Sequence, residues 1–236
     1  VEVFVFYWEK RAIILVAGAL VLLTCIYTGA YASEQVFQKK LKPIYQGDSA
    51  FKQVAITVNV DWGEEYLPDM LDTLEKSHVE ATFFISGRWA EEHPKLVRQV
   101  SSVGHEIGNH GFSHPHVNDL DLERNKEEIQ KTTKAIKQAT KSTTRYFAPP
   151  YGEYNDTVLQ AAAETGHQVI LWTVDTVDWQ KPSAEQITSR VVDGAQNGAI
   201  ILMHPTEQTN ESLPGMIKGL REKGYKIVPL EKLITG

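Results

Sequence analysis

From Val54 to the C-terminus, short apolar runs alternate with amphipathic stretches, and this alternation constrains the fold more than any other property of the chain. Val54–Val60, rich in β-branched residues, has the composition of a buried strand. Tyr66–Ser77 follows with Leu67, Met70, Leu71 and Leu74 at helical spacing. The pattern then repeats: a strand at Ala81–Ile85, a helix at Pro94–Val103, and a short strand over His105–Gly108. Asp119 is placed to cap a long polar helix reaching Ala139. Arg145–Ala148 is a further strand, closed by the rigid turn Pro149-Pro150-Tyr151-Gly152. Asn155 caps a helix over Asp156–Thr165, and Val169–Val174 is one continuous strand. Ser183 and Gln186 have the form of a capping box opening a helix to Gln196. Ala199–Met203, a helix over Ser212–Lys223 and a strand at Lys226–Val228 complete the series. About seven β/α units of this kind imply a parallel sheet with helices outside it, as a barrel or an open doubly wound sheet.

The unusual polar residues sit at one kind of position. Asp61, His110, Asp175 and His204 each follow directly on an apolar run, where strand carboxyl ends would gather. In a barrel those ends form one mouth, and active sites are built there. His110 and His114, four residues apart, suit a divalent metal, which takes neutral imidazole nitrogen. As an isolated motif such a pair is a weak signal. His78, His93, His105 and His167 lack this context and read as structural or surface residues, with His116 intermediate. Trp89 and Trp172 lie in apolar surroundings and read as core or wall.

The chain has 236 residues and a net charge of −6, with basic residues scattered rather than clustered. That distribution argues against nucleic acid, whose binders show a basic patch. Cys25 is the only cysteine, so no intrachain disulfide can form. It lies in the apolar segment Ala12–Ala32, which follows Lys10-Arg11 and is long enough to cross a bilayer, at about 20 residues for a helix. Ala30-Tyr31-Ala32 fits a small-residue cleavage site. Residues 1–32 are therefore a signal peptide or an uncleaved signal anchor, 33–50 a linker, and 51–236 the exported domain. The basic flank places that domain outside the cytoplasm.

Five segments in series carry a resemblance: Asn59-Val60-Asp61-Trp62-Gly63, His110-Gly-Phe-Ser-His114, Arg145-Tyr-Phe-Ala-Pro-Pro-Tyr-Gly152, Asp175-Thr-Val-Asp178-Trp179 and Leu202-Met-His204. Their order and spacing resemble the motifs of the polysaccharide deacetylases, most closely the sporulation-associated branch of bacilli. The resemblance implies a distorted (β/α) barrel that removes acetyl groups from N-acetylated cell-wall or spore-cortex glycan. It implies Asp61 as general base, His110 and His114 as ligands of a divalent metal, zinc or cobalt, and His204 as general acid. Asp175 would orient or charge-tune His204, with Asp178 in the same catalytic group. Trp179, Pro150 and Tyr151 would bind substrate, the last beside a backbone amide that helps hold the oxyanion. In such chemistry a metal polarises the amide carbonyl and activates water, while a histidine protonates the departing nitrogen.

Two departures bear on activity. Trp62 stands where the family has its metal-ligand aspartate, and Ala148 where it has the arginine that tethers the base. Two histidines fall short of the three protein ligands usual in catalytic zinc sites. Asn59, Glu64, Glu65 and His116 are the nearby donors. The expectation is a weakened extracytoplasmic deacetylase. The alternatives are a catalytically inactive glycan-binding or morphogenetic protein of the spore envelope, and a deacylase of a small amide.

Overall fold

The computed structural model describes residues 19–27 and 41–236. Residues 19–27 are helical and exposed; the rest of the expected export segment, and residues 33–40 of the expected linker, lie outside the described residues. Among the described residues no helix is long and apolar enough to cross a membrane. The chain divides into two units, Val1–Lys42 and Pro43–Gly236. The second therefore begins earlier than the linker boundary at residue 50 read from the sequence. Its first residues already pair with the sheet, through bridges Ile44–Ile170 and Gln46–Ala199.

Eight strands carry the fold: β1 Gln53–Val60, β2 Thr82–Ile85, β3 Glu106–Asn109, β4 Tyr146–Phe147, β5 Gln168–Val169, β6 Val174–Asp175, β7 Ala199–Met203 and β8 Lys226–Ile227. The order is β5-β4-β3-β2-β1-β7-β6, with β8 added to β1, and every pairing is parallel. The sheet curls into the distorted (β/α) barrel expected. β1 is its centre, and from Val54 to Val60 no residue of it is exposed, which explains why its side chains are mostly apolar; the polar ones, Thr57 and Asn59, are buried as well. Its side chains alternate between layers: Val54, Ile56, Val58 and Val60 pack with the helices, while Ala55 packs inside with Phe84, Ala148 and Ile200.

The helices of the Pro43–Gly236 unit are α1 Leu67–Lys76, α2 Gly87–Glu92, α3 Pro94–Ser102, α4 Leu122–Thr140, α5 Asp156–Glu164, α6 Ala184–Gly194, α7 Glu207–Glu222 and α8 Leu230–Thr235. Asn155 and the Ser183 capping box act as read from sequence. The cap of α4 is Asp121, whose carboxylate accepts the Arg124 N–H at 2.8 Å, and not Asp119, which lies in a 3₁₀ turn. α7 starts at Glu207, not Ser212, because Thr206 caps it and Pro214 is accommodated within the helix.

The largest departure from the sequence reading is at residues 168–175. The apolar continuity of Val169–Val174 suggests one strand. Its first part pairs with β4 as β5, with Ile170 N–H donating to Phe147 O at 2.8 Å. Its last part pairs with β7 as β6, with Thr173 N–H donating to Ile200 O at 3.0 Å. One stretch of chain thus joins the two edges of the sheet with no helix between. Ile44 laces the same place, accepting from Leu171 N–H and donating to Val169 O, both at 2.8 Å.

Candidate active site

Asp61 follows β1, His110 follows β3, Asp175 ends β6 and His204 follows β7, so parallel pairing gathers them at one mouth. There a cleft of about 440 Å³ is lined by Asp61, Trp62, His110, His114, Tyr151, Trp172, Asp175, Trp179 and His204 among others.

His110 is buried, and its ring Nδ1 lies 2.7 Å from Ala148 O. A carbonyl only accepts, so Nδ1 carries the proton and Nε2 keeps its lone pair. Burial, with His114 beside it, pushes the His110 pKa down to about 3, so the ring is neutral. The His114 ring centroid is 4.9 Å from that of His110, and burial lowers its pKa as well. Neutral imidazoles, one of them with its tautomer fixed by a backbone carbonyl, are what metal ligation asks of histidine. The third donor is missing. Trp62 offers an indole with no ligating lone pair, and among the described residues no three His, Cys, Asp or Glu side chains are grouped to hold a metal ion. The residues present do not make a three-ligand catalytic site.

Asp61 is paired with an arginine, though not one at position 148, where the resemblance led one to be expected. Arg88, on α2, brings Nη2 to 3.2 Å and 3.5 Å from the two carboxylate oxygens. Ala148 contributes only a methyl group and its carbonyl. Nothing in the spacing of Gly87-Arg88-Trp89 marks that arginine, because α2 is too short to show periodicity.

The aspartate at His204 is Asp178, not Asp175. Asp178 Oδ1 lies 2.7 Å from His204 Nδ1, and Oδ2 accepts from the His204 backbone N–H and from Thr209 Oγ1, both at 2.7 Å. Burial alone would push this carboxyl up; the bonds from His204 and Thr209 outweigh it and hold its pKa below the ordinary value. Asp175 Oδ1 instead accepts the Val177 N–H at 2.8 Å. With Nδ1–H committed to Asp178, His204 Nε2 is free to exchange a proton.

Aromatic groups line the mouth. Trp62 lies over the His204 ring, with planes 9° apart and centroids 5.9 Å apart. Tyr151, in the left-handed region at φ 59°, stacks on His116 at 4.3 Å and meets the His114 ring edge-on at 4.7 Å. Tyr151 and Trp179 are both exposed, at 58% and 57%. Pro150, expected among the substrate contacts, is buried and packs beneath Gly111. Trp172 forms wall, and Trp89 is core.

Residues 46–170 match the polysaccharide deacetylase domain profile. The chain belongs to the polysaccharide deacetylase family. It is 33% identical over 186 residues to a peptidoglycan-N-acetylglucosamine deacetylase of Bacillus cereus, covering 77% of this chain and 68% of that one. It is 39% identical over 209 residues to YlxY of Bacillus subtilis, covering 89% of this chain. It spans 66% of YlxY, just under two thirds of that relative's length. Among solved structures it resembles BA3943 of Bacillus anthracis, described as a CE4 family pseudoenzyme, with TM-score 0.80 and 41% identity over 81% of this chain and 68% of that one. A BA3943 mutant is described as having restored enzymatic activity. The family's peptidoglycan deacetylases are metal-dependent hydrolases of C–N bonds, and it includes such pseudoenzymes.

Proposed function

We propose that the domain recognises acetylated cell-wall glycan outside the cytoplasm and deacetylates it only weakly. One observation carries this reading: Trp62, where the resemblance implies a third ligand, lies over the ring of an assembled His204–Asp178 pair in an aromatic cleft. Sugar rings present C–H faces to Trp and Tyr, so recognition needs no metal. Hydrolysis does need one, since an amide carbonyl must be polarised and a water activated. Zinc or cobalt held by His110 and His114 alone would supply that chemistry poorly. The apolar segment Ala12–Ala32 supports export, as signal peptide or anchor, and the resemblance to the sporulation-associated branch supports a place in the spore envelope.

The test uses the purified protein with peptidoglycan fragments and N-acetylglucosamine oligomers. Expected are glycan binding that survives chelation and slow acetate release that requires added zinc or cobalt. Absence of binding, or fast release without metal, overturns the reading. A second reading, a morphogenetic protein with no turnover, is favoured by the Trp62 ring lying over His204. Acetate release by wild type that equals that of His204→Ala would establish it instead.

A further inference from the structure

We infer that Asp175 is a positioning residue: by holding Val177 in the left-handed region it sets the turn that delivers Asp178 to His204 and Trp179 to the cleft. Val177 has φ 53° and ψ 32°, a conformation that a β-branched residue adopts only under constraint. The constraint is visible. Asp175 Oδ1 accepts the Val177 N–H at 2.8 Å, an Asx turn closing over two residues. The peptide between them is pinned on both sides, Thr176 N–H to Leu202 O at 3.1 Å and Arg190 Nη1 to Thr176 O at 2.6 Å. Beyond Val177 the chain closes a 3₁₀ turn, with Gln180 N–H on Val177 O at 3.2 Å and Lys181 N–H on Asp178 O at 2.9 Å.

The consequence is a reversal of facing between neighbours. Asp178 is fully buried against His204, and Trp179, the next residue, is 57% exposed at the cleft. Were Val177 to relax to negative φ, the two side chains could not keep those opposite placements. Asp175 works through the backbone and makes no hydrogen bond to His204 itself. It therefore needs an acceptor oxygen rather than a charge, and the need disappears if residue 177 is glycine.

The experiment compares Asp175→Ala, Asp175→Asn, Val177→Gly and Asp175→Ala/Val177→Gly in the full chain. One readout is the imidazole nitrogen chemical shifts of His204, which separate the Nδ1–H tautomer from its alternative. The other is quenching of Trp179 fluorescence by an N-acetylglucosamine tetramer, with Trp179→Phe as the blank. Expected are loss of the Nδ1–H signature and of quenching in Asp175→Ala, retention of both in Asp175→Asn, and recovery of both in the double variant. Val177→Gly alone keeps both and melts no lower than wild type, which keeps the proposal testable if Asp175→Ala fails to fold. An unchanged signature in Asp175→Ala, equal damage in Asp175→Asn, or a double variant without recovery overturns it. The quenching readout rests on the glycan-binding reading, and the His204 shifts do not. Wild type without quenching sinks only that reading.

Discussion

Trp62 and His204 lie nearly parallel, 9° between their planes, in the lining of the cleft at the mouth of the barrel. On the reading proposed above, the indole stands in place of a ligand and also lies over the ring of the general acid. Replacing Trp62 with aspartate removes both effects together. The Trp62→Asp variant is expected to bind zinc at least about tenfold more tightly, about 1.4 kcal/mol, and to release acetate correspondingly faster. Zinc titration against a competing chelator, run beside an acetate assay, checks this.

Asp178 is a buried carboxylate whose two oxygens accept three hydrogen bonds from His204 and Thr209. In Asp178→Asn, one of those oxygens becomes an NH₂ facing a donor. The variant is expected to lose about 2–3 kcal/mol of stability. Its His204 is expected to shift from the Nδ1–H tautomer. Urea unfolding measures the first effect and imidazole shifts the second. Thr209→Val removes one donor and is expected to cost about 1 kcal/mol.

His105 is buried, accepts the Ala81 N–H at its Nδ1 at 3.3 Å, and has its pKa pushed down by burial to about 4. The folded state keeps this ring neutral while the unfolded chain protonates it near 6.5. Between those values the unfolded state binds more protons, so stability is lost as pH falls from about 6.5 to about 4. The loss is on the order of 2 kcal/mol. His105→Gln preserves an acceptor and does not titrate. Its unfolding free energy should fall less steeply over that window than wild type's, and equal slopes would remove His105 as the cause.

Residues 43–47 bond to both sides of the barrel's join, through Ile44 and through Gly47 N–H to Gly198 O at 2.8 Å. A domain cut at residue 51, where sequence places its start, loses these bonds and the packing of Ile44. Relative to one starting at residue 43 it is expected to be about 4 kcal/mol less stable and to melt roughly 10 °C lower. Thermal unfolding of the two fragments decides it.

Most of the architecture was legible because strand and helix here differ in period, and because Asn155 and Ser183 announce helix starts chemically. The misplacements have physical causes. Asp119 and Asp121 are both plausible caps, and only the local turn selects the second. Two short helices, α2 and α8, hold too few residues to show a moment. The site was legible as a set of residues at strand ends, but its pairings were not. Which of Asp175 and Asp178 reaches His204 depends on a left-handed Val177 that no periodicity reveals. Arg88 beside Asp61 depends on how α2 docks against the histidine loop, where Gly87 and Arg88 N–H groups bond to Gly111 and Phe112 carbonyls.

Residues 168–175 hold both edges of the sheet with a fixed count of residues, and that makes this stretch a ruler. Its first mark is registered against Tyr146 and Phe147, its last against Ile201 and Leu202. Each residue advances a strand by about 3.3 Å. One residue gained or lost between Val169 and Val174 would force either edge to slip, or shift Asp175 by that step. The barrel can tolerate length changes in its outer loops, but the spacing written here is what delivers Asp175, Asp178 and Trp179 to the mouth together.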